Sequence, residues 1–145
     1  MIQYCRTKSA EEILNIPDVQ ERTRRYFEQA TLFEEMLAQN HTVHDNVVVI
    51  DLLEQETIYS GNRFLVYALY PQQNIEIRLM RGKDSQKVVF ACGHSILNRT
   101  SKTNVGKLML EYGGGGHEKV GTCQVSTEDW ERVLGEIVER MVNDG

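Results

Sequence analysis

The chain has 145 residues, 41% of them apolar and 26% charged, which is one soluble domain, or a domain plus a helical extension, with enough apolar residues for a core. The net charge of −5 excludes a broadly basic nucleic-acid-binding protein, and no apolar run approaches the roughly 20 residues that span a bilayer. Three cysteines, Cys5, Cys92 and Cys123, are odd in number and far apart, which argues against a disulfide framework and for a reducing cytoplasm.

The chain opens with Arg6, Lys8, Glu11 and Glu12 close together and no signal-peptide core. Ser9-Ala10-Glu11-Glu12 is a capping box for a short helix that stops near Asn15, because Pro17 disfavours helix at Ile16. Asp18 is expected to cap a second helix with Glu21 three residues on; Tyr26, Phe27, Ala30, Phe33 and Leu37 give it an apolar stripe to about Asn40. After the polar stretch Asn40 to Asn46, Val47 to Leu52 reads as a buried strand, being β-branched and nearly unbroken.

Ser60-Gly61-Asn62 is a breaker, and the apolar segment Phe64 to Tyr70 reads as a crossover helix closed by Pro71. Two strands follow, Ile75 to Met80 and Lys87 to Cys92, joined by a turn at Gly82 to Ser85. Thr103 or Asn104 caps a helix through Val105, Leu108, Met109 and Tyr112, with Gly113 at the left-handed position beyond its end. Gly121 to Val125 is the last strand. Ser126 or Thr127 then opens a helix with Trp130, Val133, Leu134, Ile137, Val138 and Met141 on one face. The pattern is α/β, a mixed sheet of about five strands with flanking helices, preceded by a helical linker. Residues 1–45 form the linker and 46–145 the domain.

The most informative local feature is Gly113-Gly114-Gly115-Gly116-His117. Such a run costs conformational entropy on folding, and backbone donors without Cβ atoms around them form anion-binding concavities. A histidine at its end adds a donor to phosphate oxygens. Between Ile75 and Val120 eight Lys/Arg face four acids, so this segment is +4 and the remainder −9. Just upstream, His94 to Asn104 is dense in phosphate and hydroxyl partners: Arg99 offers a planar fork, and Asn98, Thr100 and Asn104 offer neutral donors. These residues point to a small phosphorylated ligand. The run is neither a P-loop, which needs Gly-Lys-Ser/Thr at a helix start, nor a dinucleotide fingerprint, which follows a strand. No spacing of His, Cys, Asp or Glu predicts a metal site, and neither Cys92 nor Cys123 has an activating context. The chain has a substrate site and no catalytic centre of its own.

Phe90 to Thr100, Thr103 to Gly106, Gly113 to His117 and Gly121 to Cys123 together resemble the C-terminal domain of DHH-family phosphoesterases, in the branch of exopolyphosphatase-related and nano-RNase-like enzymes. The likeness extends to Arg6-Thr7, to Ser9 to Leu14 and to Gly61-Asn62-Arg63-Phe64. It implies an enzyme of two domains in which an N-terminal DHH domain, whose naming Asp-His-His motif does not occur in this sequence, holds Mn²⁺ or Mg²⁺. It also implies that Arg99 is a phosphate ligand, the amides of Gly114, Gly115 and Gly116 an anion cradle and His117 a phosphate contact, with Asn98, Thr100 and Asn104 beside them. Glu118-Lys119-Val120 departs from the small or basic residues usual after the histidine. On this reading the chain is an excised substrate-binding domain, inactive alone, that takes a short oligonucleotide, a phosphorylated nucleotide or polyphosphate. Its protein partners would be the missing DHH domain and, through the face so exposed, a second copy. Two further readings stay open: a non-catalytic nucleic-acid-binding module, and a protein-interaction domain in which the glycine run is only a turn.

Overall fold

A computed structural model describes residues 2–83 and 86–145. Three helices come first, α1 (Ile2–Thr7), α2 (Ala10–Leu14) and α3 (Pro17–Gln39). A six-stranded sheet follows, made of β1 (His41–His44), β2 (Val47–Asp51), β3 (Ile75–Arg81), β4 (Lys87–His94), β5 (Gly115–His117) and β6 (Val120–Ser126). Helices α4 (Leu65–Leu69), α5 (Val105–Glu111) and α6 (Trp130–Asp144) lie between β2 and β3, between β4 and β5, and at the end. The strand order is β1-β2-β3-β4-β6-β5. Every neighbouring pair is antiparallel except β2 and β3, whose parallel pairing requires the crossover that α4 supplies. The expected mixed α/β sheet is present, with six strands.

Strand β2 is buried on both sides, and its alternation divides the core in two. Val47 and Val49 join Ile75, Ile77, Phe90 and Cys92 against α5 and α6. Val48 and Ile50 face the other way, onto Phe33, Met36 and Leu37 of α3 and onto Val66 and Tyr67 of the α4 segment. Helices α1 and α2 are shallow by comparison: α2 buries nothing, and α3 buries only the residues of its C-terminal third. The capping box predicted at Ser9 is present, with Ser9 Oγ accepting from the Glu12 amide and Glu12 Oε2 from the Ser9 amide.

Five details differ from the sequence reading. Helix α1 was not predicted. Strand β1 lies in the polar stretch Asn40 to Asn46 that the sequence reads as a connection, and all four of its residues are exposed; it forms at the sheet edge because Asp45, at φ 50°, turns the chain back along β2. Helix α3 starts at Pro17, one residue before the predicted cap Asp18. Ile16 is extended there and the proline ring presets the first helical φ, while Asp18 pairs with Arg22 at 3.2 Å. Helix α6 starts at Trp130, because Ser126 Oγ accepts from the Asp129 amide and holds a turn ahead of the helix. The turn expected between β3 and β4 is not one of these differences: the Gly82 amide donates to the Lys87 carbonyl at 2.8 Å, while Asp84 and Ser85 lie outside the described residues.

The fifth difference concerns the glycine run, which is a sheet edge rather than an open loop. Gly113, at φ +74°, ends α5, and the Gly113 and Gly114 amides donate to the Leu110 and Met109 carbonyls. The chain then becomes β5, pairing Gly115 with Thr122, Gly116 with Gly121 and His117 with Val120. A Cβ on Gly114 would fall 2.0 Å from the Thr122 carbonyl oxygen, and one on Gly116 2.2 Å from that of Val120, whereas one on Gly115 would meet open space. Gly114→Ala and Gly116→Ala are therefore expected each to cost about 1–3 kcal/mol in urea denaturation, and Gly115→Ala to stay within about 0.5 kcal/mol of the parent.

Candidate functional site

Helices α5 and α6 pack on one face of the sheet, against β2, β3, β4 and β6, while on the other α3 and the α4 segment pack mainly against Val48 and Ile50 of β2, and the buried cluster there includes no residue of β4, β5 or β6. Register decides what that second face displays. Glu76 opposes Gly93, Gly93 opposes Val120, and Val120 opposes His117, one row across four strands. The next row is Arg78, Ala91, Thr122 and Gly115.

At the end of β4 the chain folds over the strand ends and is stitched to them. The Ser95 hydroxyl accepts from the Leu97 and Asn98 amides, and the Ser95 amide donates to the Asn74 carbonyl. Asn74, only 4% exposed, accepts from Asn46 Nδ2 and donates to Thr100 Oγ1. Thr100 in turn donates to Asn98 Oδ1, and Asn98 Nδ2 to the Gln72 carbonyl. Asn98 and Thr100, predicted beside the phosphate, thus hold the turn that presents Arg99. Asn104 caps α5, its Oδ1 accepting from the Lys107 amide at 3.0 Å. Arg99 points outward, its Nε tied to the Ile96 carbonyl at 2.9 Å, so the chain fixes the plane of the guanidinium and leaves its two terminal nitrogens to a ligand.

Arg99 lines a cleft of about 450 Å³, together with Arg63, Phe64, Lys102, Glu118 and Lys119. Four cations surround one carboxylate there. Phe64 is 40% exposed, with the Arg63 guanidinium 5.0 Å from its ring centre and the Tyr67 ring stacked at 6.3 Å. Ser101, in the cleft wall, has a buried hydroxyl with no hydrogen-bond partner. His94 also lines the cleft, but its Nε2 is bonded to the Thr103 carbonyl. Gly114, Gly115, Gly116 and His117 do not line it; the three residues that follow them do. His117 is exposed at the sheet edge, in the row of Val120 and Gly93. Sequence reasoning singled out Arg99 and passed over Phe64 and Arg63 as ligand contacts. The signal was the basic–aromatic pair directly after the Ser60 to Asn62 breaker.

A second trough of about 370 Å³ continues the cleft along the open face, sharing Arg63, Tyr67, Gly93 and Val120 with it. Glu76 and Arg78 lie in it as an ion pair, Arg78 Nε donating to Glu76 Oε1 at 2.8 Å. Burial pushes the Glu76 carboxyl above the usual carboxylate range, against the opposing pull of the Arg78 charge. Burial, and then the Glu76 charge, raises the Tyr67 hydroxyl.

Among the described residues no three His, Cys, Asp or Glu side chains converge as metal ligands would. The family resemblance places the divalent ion in a DHH domain outside this chain. Burial raises the Cys92 thiol well above its ordinary range and that of Cys123 to about 11, so neither supplies a thiolate nucleophile near neutral pH. No described helix is long and apolar enough to cross a membrane.

No protein-family model matches the sequence, and no curated protein does. Among solved structures, the chain is 50% identical over 99% of its length to the pGpG-specific phosphodiesterase PggH from Vibrio cholerae, with a TM-score of 0.96. It spans 49% of that protein's chain, so it corresponds to about half of it. An exopolyphosphatase-related protein from Bacteroides fragilis matches 78% of the chain at 16% identity and a TM-score of 0.57, with 35% of its own chain covered, a likeness of fold.

The stitched turn has a measurable energetic signature. Asn74→Ala leaves the Thr100 hydroxyl and the Asn46 amide without their buried partner, and is expected to cost about 1–3 kcal/mol in chemical denaturation.

Proposed function

The chain is a relative of the DHH-family phosphoesterases, and from that premise we propose that it is the substrate-binding part of a metal-dependent phosphodiesterase acting on short 5′-phosphorylated oligonucleotides, with pGpG the first candidate. The observation that carries this reading is the cleft in which an exposed aromatic ring, Phe64, stands among Arg63, Arg99, Lys102 and Lys119. Cations alone would suit any polyanion. An aromatic face among them suits a nucleotide, because base stacking is sequence-tolerant and adds to the phosphate term. Arg99 takes a phosphate through its two free nitrogens, Lys102 and Lys119 act as point charges, and the Ser101 hydroxyl gains the partner it lacks. His117 and the outward edge of β5, where Gly115 and Gly116 lie, complete the anion contacts on the cleft's flank.

The metal belongs to this reading only outside the present chain: a companion DHH domain would hold Mn²⁺ or Mg²⁺ and perform the hydrolysis, while this chain binds and orients. Residues 1–45 would then act as the connecting helical segment, and the odd cysteine count fits a reducing cytoplasm.

Calorimetric titration with pGpG and with tripolyphosphate tests the reading. Arg99→Ala is expected to weaken both ligands about tenfold or more, the loss of charge-assisted hydrogen bonds, with the melting temperature unchanged. His117→Ala weakens both less. Phe64→Ala weakens pGpG by about fivefold or more and leaves tripolyphosphate as it was. Undiminished affinity in Arg99→Ala contradicts the site.

A further inference from the structure

Beyond the phosphate-facing cations, the open half of the sheet holds an ion pair that the core does not use. Glu76 is only 6% exposed, and Arg78 follows it on the same face of β3. Arg78 Nε donates to Glu76 Oε1 at 2.8 Å; its Nη2 stands near the same oxygen, out of alignment, and has no hydrogen-bond partner. The Tyr67 hydroxyl stands beside the carboxylate, whose charge, after burial, raises it. A carboxylate offers about four lone-pair positions, so Glu76 keeps acceptor capacity beside an unsatisfied donor.

What surrounds the pair is equally particular. Register sets Gly93 opposite Glu76 and Ala91 opposite Arg78, so β4 adds almost no side chain to the floor beside them, and the Tyr67 hydroxyl stands 3.3 Å from where a Gly93 Cβ would lie. The result is the trough of about 370 Å³, continuous with the cleft through Arg63 and Gly93. A buried ion pair stabilises a fold no better than apolar side chains of the same volume. An acceptor and a donor held side by side over a bare floor are better suited to a ligand.

We infer that this trough takes a guanine base, and that Glu76 and Arg78 read its Watson–Crick edge. Glu76 accepts from guanine N1–H and the N2 amine, and Arg78 donates to O6. Adenine reverses the pattern, setting its N1 acceptor toward the carboxylate and its N6 amine toward the guanidinium, so the pair discriminates by mismatch as well as by attraction. The inference rests on the reading of the Arg99 cleft as a nucleotide phosphate site.

The test is titration of the chain with pGpG, pApA and pIpI, the last lacking the N2 amine, repeated with Glu76→Gln and Arg99→Ala, with thermal melts to report folding. On the unsubstituted chain pGpG is expected to bind about tenfold or more tighter than pApA, with pIpI between them. In Glu76→Gln the pGpG-to-pApA ratio falls to near one, pGpG weakening while pApA tightens as the mismatch with adenine N1 is relieved. Arg99→Ala weakens all three ligands by one common factor and keeps their ratio. Equal affinity for pGpG and pIpI, or for pGpG and pApA, on the unsubstituted chain overturns the inference, even if Glu76→Gln does not fold. A Glu76→Gln variant that weakens every ligand equally overturns it too, making Glu76 structural. Loss of guanine preference in Glu76→Gln with no effect of Arg99→Ala keeps the base site and removes the phosphate site. Failure of the unsubstituted chain to bind any of the three removes both.

Discussion

The parallel pairing of β2 with β3 is the constraint from which the site follows. Parallel neighbours cannot be joined by a hairpin, so the chain must leave the sheet and return across one of its faces. The segment that does so carries Arg63, Phe64 and α4, and it closes the second core with Val66 and Tyr67 against α3. Because that crossover reaches β4 at Gly93 through the Tyr67 hydroxyl, it forms a wall beside the half-face instead of a lid over it. Arg99, Lys102 and Lys119, the cations proposed to meet phosphate, come from loops that line the same cleft. One topological requirement thus supplies both the aromatic wall and the uncovered floor.

The glycine run serves the same geometry from the sheet's other edge. At Gly114 and Gly116 there is no room for a Cβ, because β5 is pressed backbone to backbone against β6. This closeness lets β6 take its place next to β4 with the Glu118-Lys119 turn folded back to the cleft, where the Glu118 carbonyl accepts from the Val105 amide and the Lys119 carbonyl from that of His94. Gly114 and Gly116 are therefore needed for the close β5–β6 pairing itself, a positioning role that stands apart from any contact with an anion.

Much of this was legible in the residues. Strong periodicity located β2, β3, β4, β6 and the body of α6, and local capping chemistry located Asn104 and Ser9. Elements whose signal is only context were missed: β1 is a strand because β2 offers it an edge, and its own residues, all exposed, carry no alternation. Among the proposed site residues, Arg99 stands out in the sequence because a planar cation in a donor-rich turn is local information. Asn98 and Thr100 stand out as ligand partners because their polar groups are visible in sequence, but the groups that engage them, the Asn74 side-chain amide donating to Thr100 Oγ1 and the Gln72 carbonyl accepting from Asn98 Nδ2, lie 26 residues away. The Glu76–Arg78 pair was invisible as a site for a related reason: an alternating charged pair on a strand reads as a solvated face until the fold buries it.

The central claim is that ligand binds on the open half-face, between the crossover wall and the loops after β4. Nuclear magnetic resonance titration of the labelled chain with pGpG tests it most directly. The account predicts that amide shifts concentrate at residues 63–67, 93–102 and 118–122, with β3 responding around Glu76 and Arg78. Shifts confined to α3, or to the glycines at 113–116 with the cleft residues silent, would contradict it.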